Sequence, residues 1–124
     1  MRIIGGNFKG KKILDPQDKE TRPLKDLTKE SIFNVLKHSN KFSIEIEKSI
    51  ILDLFSGVGS FGLECLSRGA KYVTFVENYS GVLPILKRNL SNLKIEGKLN
   101  SFVDMRAKSV WCIFCKKGCP KGYF

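Results

Sequence analysis

Two acidic residues and three glycines carry the chemistry that this sequence can do. The segment Ile50-Ile51-Leu52-Asp53-Leu54-Phe55-Ser56-Gly57-Val58-Gly59-Ser60-Phe61-Gly62 runs from an apolar stretch through Asp53 into glycines at G-x-G-x-x-G spacing. A second apolar stretch, Tyr72-Val73-Thr74-Phe75-Val76, ends in Glu77, 20 residues after Gly57. Glycines at this spacing let the backbone turn tightly and approach a ligand. A carboxylate about 20 residues on can accept hydrogen bonds from ribose hydroxyls. The pattern therefore points to a site for an adenosine-containing cofactor. The glycines alone do not separate NAD from S-adenosylmethionine. Asp53 favours the second, because a carboxylate beside the turn repels a pyrophosphate and attracts an ammonium or sulfonium.

Such a site needs a β-α-β unit to position it. The apolar periodicity predicts a strand over about 50–55 and a helix over about 60–68, with Phe61, Leu63, Cys65 and Leu66 facing inward and Gly69 as a left-handed stop. A strand over about 72–76 and a helix over about 81–93 follow, the helix using Val82, Leu83, Leu86, Leu90 and Leu93, with Pro84 in its first turns. Phe102-Val103 begins a third strand. Ahead of the unit, residues 1–14 read as a hairpin turning at Gly5-Gly6-Asn7, and residues 15–23 as a loop. A helix is expected over 27–37, with Asp26 as N-cap and Leu27, Ile32, Phe33, Val35 and Leu36 as its apolar face.

The chain has 124 residues, enough for one small domain, and a net charge of +10. That charge favours a polyanionic partner without specifying a sequence. Lys9, Lys11, Lys12 and Arg22 form a basic N-terminal cluster suited to phosphate contacts. No apolar stretch approaches the roughly 18 residues of a membrane span, and the N-terminus does not read as a secretory signal, so a cytoplasmic location is expected. Residues 105–124 contain five basic residues and no acid, and lose the periodicity; they read as a divergent tail, non-native or disordered. Cys112, Cys115 and Cys119 lie there at C-x2-C-x3-C spacing, one thiolate short of a closed zinc site, and no metal site is assigned. Cys65 reads as a buried small hydrophobe.

Residues 1–104 resemble the RsmD-type methyltransferases, which modify the exocyclic N2 of a guanine in bacterial small-subunit (16S) ribosomal RNA. The resemblance runs through Met1-Arg2-Ile3-Ile4-Gly5-Gly6, Thr21-Arg22-Pro23-Leu24-Lys25-Asp26 and Glu30-Ser31-Ile32-Phe33-Asn34-Val35-Leu36. It is densest from Leu52 to Ala70 and closes at Phe75-Val76-Glu77. It implies a Rossmann-like class I α/β fold that binds S-adenosyl-L-methionine, truncated here after about three strands, with strand one left as an exposed edge. Asp53, Gly57 and Gly59 would surround the methionine part, Glu77 the ribose and Asp104 the adenine, with Phe55 counted among the cofactor-binding residues. The implied partner is small-subunit ribosomal RNA or the assembling subunit, with the complete enzyme a monomer. The family's catalytic Asp/Asn-Pro-Pro-Tyr/Phe motif has no counterpart in this sequence. No catalytic residue is therefore assigned, and the chain is expected to be inactive alone. The organisation expected is an RNA-contacting extension over 1–48, a cofactor-binding half-domain over 49–104 and the tail over 105–124. The alternatives are an NAD-dependent oxidoreductase, a non-catalytic RNA-binding or metal-binding module, and a DNA adenine or cytosine N-methyltransferase.

Overall fold

The structure, a computed structural model, describes residues 1–17, 24–41, 44–93 and 102–104, the last three through their backbone. Three parallel strands form a sheet in the order β1-β2-β3: β1 (Ile50–Leu54), β2 (Tyr72–Glu77) and β3 (Phe102–Asp104). Helix α1 (Asp26–His38) precedes the sheet, α2 (Ser60–Ser67) links β1 to β2, and α3 (Leu83–Asn92) follows β2. The register sets Asp53 against Phe75 and Glu77 against Asp104. The acidic positions named by the sequence thus lie at the carboxyl ends of neighbouring strands.

Close packing of α2 on the sheet depends on glycine. A Cβ on Gly62 would lie 2.3 Å from the Phe75 ring, so only a bare Cα lets helix and strand approach this closely. Gly69, at φ +97°, ends α2 in the left-handed conformation as expected. Pro84 occupies the first turn of α3, where its missing N–H costs no helical bond.

Residues 1–14 fold back as a hairpin-shaped arm, but a single bridge between Arg2 and Lys12 replaces two regular strands. Backbone bonds run from the Ile13 N–H to the Met1 carbonyl and from the Ile3 N–H to the Lys11 carbonyl. The regular pairing ends where the Gly10 N–H takes the Ile3 carbonyl and the Lys11 N–H turns to the Phe8 carbonyl. Beyond it the N–H groups of Ile4 and Gly5 donate to the Glu64 carboxylate. The arm turns through a 3-10 segment at Gly6–Phe8. Gly6 sits so close to α2 that an added Cβ would lie 1.8 Å from the Ser67 carbonyl oxygen.

Helix α1 departs from expectation in two respects. Asp26 is its first helical residue and makes no cap bond; the N-cap position falls on Lys25. The Asp26 carboxylate pairs instead with Arg2, at 3.6 Å, and so serves the arm. Leu27 and Val35, expected on the apolar face, are exposed, whereas Lys29 is fully buried beside Phe33. A charge occupies the inner stripe of this helix because its partners lie there.

Ile3 and Ile13 from the arm, Phe33 from α1, Leu63 from α2, Phe75 from β2 and Leu86 from α3 belong to one buried cluster. The extension and the β-α-β unit therefore share a core. Among the described residues β1 is an edge strand, and Ile50 and Leu52 on it are exposed. An uncovered edge of this kind is a template for further pairing. No helix among the described residues is long and apolar enough to cross a membrane.

Candidate cofactor site

The chain leaves β1 through a left-handed residue. Phe55 has φ +59°, a conformation an aromatic side chain adopts only at a cost, and its ring is 76% exposed. Gly57 (φ +54°) and Gly59 (φ +84°) continue the turn in the left-handed region where glycine is free of that cost. Gly59 also lacks room: an added Cβ would meet Leu86 Cδ1 at 2.5 Å.

Glu77 locks this turn from the neighbouring strand. Its Oε2 accepts the Gly57 N–H at 2.7 Å, and its Oε1 accepts those of Asn78 and Tyr79 at 2.8 and 2.9 Å. An ionised carboxylate has about four acceptor positions, so one on Oε2 is left for a ligand hydroxyl. Asp53 Oδ2 accepts the Gly62 N–H at 3.0 Å, at the first turn of α2. Burial pushes the Asp53 carboxyl up from 3.8 to about 6; the Gly62 N–H pulls it down and the Glu77 charge adds to the rise. Two buried carboxylates thus lie close enough to repel each other, and Asp53 bears the cost.

Ser56, inside the turn, keeps a buried hydroxyl with no hydrogen-bond partner among the described residues. A buried polar atom without a partner is costly in a native fold and marks a place where a ligand or water completes the bonding. Left-handed glycines, that orphaned hydroxyl and two carboxylates suit a ligand bearing positive charge and hydroxyls. They suit a pyrophosphate poorly. The residues present therefore fit S-adenosylmethionine.

The structure brings Asp53, Gly57, Gly59 and Glu77 together directly, and Phe55 enters the turn they form. Asp104 stands opposite Glu77 in the backbone register of β2 and β3. Of the proposed RNA contacts, Lys9, Lys11 and Lys12 are exposed on the arm, with Lys11 Nζ 5.0 Å from the Phe8 ring centre. Arg22 and the tail cysteines lie outside the described residues. Cys65 is buried and free, and burial raises its thiol to about 12, so it stays protonated as a packing group. No metal-binding cluster occurs among the described residues.

Sequence reasoning missed a charged seam beneath the site. Glu64, fully buried, accepts from the Ile4 and Gly5 N–H groups at 2.9 and 2.8 Å and from Arg68 Nε at 2.9 Å. Lys29 Nζ lies 3.5 Å from it and donates to the Arg2 carbonyl at 2.6 Å. Asn89, on α3, was missed as well. It joins the Leu14 backbone to the Val58 carbonyl inside the glycine turn. The available signal was a polar or charged residue at helix positions otherwise reserved for apolar side chains, which almost never go inside unpaired.

Comparison with known proteins agrees with this geometry. Residues 1–116 match the family described as Conserved hypothetical protein 95. Ribosomal RNA small subunit methyltransferase D of Haemophilus influenzae is 43% identical over 94 residues, covering 76% of this chain and 46% of that protein. The enzyme of the same name from Escherichia coli K12 is 38% identical over 94 residues, covering 76% and 44%. Among solved structures, yhhF from Escherichia coli superposes with a TM-score of 0.71 at 34% identity, covering 89% of this chain and 55% of that one. The chain thus spans about half the length of the curated relatives it matches. The fold is α/β and Rossmann-like, of the methyltransferase type. The chain belongs to the Conserved hypothetical protein 95 family, that of the RsmD-type small-subunit ribosomal RNA methyltransferases.

Proposed function

We propose that this chain supplies the cofactor-binding part of an S-adenosylmethionine-dependent methyltransferase acting on guanine N2 in small-subunit ribosomal RNA in the cytosol. The observation that carries the cofactor choice is Asp53, a buried carboxylate set against the glycine turn with a second carboxylate, Glu77, beside it. With a pKa of about 6, Asp53 is mostly ionised at pH 7. Its uncompensated charge favours a cation beside the glycine turn and opposes the two negative charges of a dinucleotide.

In this reading Asp53, Gly57 and Gly59 hold the methionine part, Phe55 belongs to the same cofactor site, the free acceptor position of Glu77 takes a ribose hydroxyl, and Asp104 borders the adenine. When bound, the cofactor supplies a methyl group on a sulfonium, already activated toward an amino nitrogen. The protein's part is positioning: it fixes the donor and excludes water, while the RNA presents a base taken out of its stack. Residues 1–48, through Lys9, Lys11, Lys12 and Arg22, contact RNA phosphates and set orientation rather than base choice. Residues 49–104 form the cofactor half.

The sequence has no Asp/Asn-Pro-Pro-Tyr/Phe motif to accept the guanine amino protons. We therefore expect the 124-residue chain to bind cofactor without transferring methyl groups. The test pairs thermal shifts in S-adenosylmethionine and in NADH with a methylation assay on small ribosomal subunits. Stabilisation by S-adenosylmethionine alone, with no transfer, supports the reading. Stabilisation by NADH alone replaces it with an oxidoreductase, and robust transfer by this chain overturns the expected inactivity.

A further inference from the structure

We infer that Asn89 is a positioning residue that couples the N-terminal arm to the glycine turn, so that occupying one orders the other. The inference rests on the cofactor reading above and extends it to how an RNA-facing surface and the cofactor site influence each other.

Asn89 is 2% exposed and sits on α3, outside every motif of the strand ends. A carboxamide has two N–H donors and one carbonyl acceptor. Here its Oδ1 accepts the Leu14 N–H at 2.8 Å, and its Nδ2 donates to the Leu14 carbonyl at 3.1 Å and to the Val58 carbonyl at 3.0 Å. One side chain therefore pairs both backbone groups of Leu14, as a neighbouring strand would, and also holds the peptide between Gly57 and Gly59.

That peptide matters to the site. Val58 is 2% exposed, so its carbonyl needs a protein donor, and it lies between two left-handed glycines whose orientation shapes the turn. Glycine has no steric preference that would hold this shape alone. The Asn89 bond selects it, and Asn89 is itself oriented by Leu14. On the other side of the arm, Lys29 Nζ reaches both the Arg2 carbonyl and, at 3.4 Å, the hydroxyl of Ser60, the residue after Gly59. Both ends of the arm are thus tied to the turn or its immediate continuation. Lys9, Lys11 and Lys12 are exposed between those ties. A polyanion that seats the arm should therefore favour the turn geometry that takes the cofactor, and binding reciprocity requires the converse.

The test is amide hydrogen exchange on the 124-residue chain with and without saturating S-adenosylmethionine. The Phe33 N–H, in the buried interior of α1, reports global stabilisation and serves as the control. The expected result is that the ligand slows Leu14 exchange by about fivefold more than it slows Phe33, together with Gly57 and Gly62. A short single-stranded RNA should raise S-adenosylmethionine affinity by about the same factor in the wild type. In Asn89→Ala, both effects should vanish and cofactor affinity should fall about tenfold. Should Asn89→Ala fail to fold, the wild-type exchange comparison decides alone. If Leu14 slows no more than Phe33 while Gly57 and Gly62 are protected, the coupling is wrong and the cofactor site stands. If Gly57 and Gly62 show no protection, the cofactor reading fails and the coupling fails with it.

Discussion

Glu64, on helix α2, and Asp53, bonded to the first turn of that helix, are both buried carboxylates, and their surroundings are opposite. Glu64 faces two cations, Lys29 and Arg68, and two backbone N–H groups of the arm. Asp53 receives the Gly62 N–H and faces another carboxylate, which helps raise it to about 6. Where the protein itself neutralises a buried charge, the charge belongs to the architecture. Where it does not, the charge is left for a ligand of opposite sign. The seam and the turn lie at the two sides of one short helix, so the same eight residues of α2 serve stability on one side and binding on the other.

The largest test of this contrast is to break the seam. Glu64→Ala leaves the buried Lys29 with only the more distant Asp26 carboxylate, at 3.9 Å, and strips two arm N–H groups of their acceptor. It should cost about 3–5 kcal/mol, enough to abolish a cooperative urea transition followed by circular dichroism. Gly62→Ala drives a methyl into the Phe75 ring and should cost about 1–3 kcal/mol in the same measurement.

On the turn side the sign reverses. The folded-state pKa of Asp53 lies above its ordinary 3.8, so ionisation is disfavoured in the folded protein. The resulting loss of stability is absent below pH ~4, grows between about 4 and 6, and is complete above 6, with an upper bound of about 3 kcal/mol. Asp53→Asn can still accept the Gly62 N–H without carrying that charge. It should melt a few degrees higher than the wild type at pH 7 and match it at pH 4. A mutant less stable than the wild type at pH 7 would show that Asp53 belongs to the architecture after all.

The smallest effect on stability is expected on the arm. Replacing Lys9, Lys11 and Lys12 by Ala removes exposed side chains and should change stability by less than about 0.5 kcal/mol. The dependence of single-stranded RNA affinity on salt should nevertheless flatten by about two units of log–log slope, roughly 0.7 per lost phosphate contact.

The strands, α2, α3 and the acidic strand ends were legible because local signals specify them. Apolar runs of strand length, glycines at fixed spacing and a carboxylate 20 residues on all lie within one β-α-β unit. The seam was not legible, because Lys29 and Glu64 are 35 residues apart in sequence and neither shows its partner locally. Asn89 was hidden for the same reason, since it bonds Leu14 across 75 residues. The arm read as a hairpin because Gly5-Gly6-Asn7 is turn material between the short runs Arg2-Ile3-Ile4 and Lys11-Lys12-Ile13-Leu14. That Glu64 would take the Ile4 and Gly5 N–H groups is a property of tertiary packing. Asp26 read as a cap because caps are local, and it turned toward Arg2 because the arm lies within reach.

The most direct test of the account is calorimetric titration of S-adenosylmethionine into the wild-type chain and Asp53→Asn at pH 5 and pH 7. The account predicts one site in the wild type, with affinity rising up to about tenfold from pH 5 to 7 as Asp53 ionises, and weaker, pH-independent binding in the mutant. Equal affinity in both proteins at both pH values, or binding of NADH in place of S-adenosylmethionine, would contradict it.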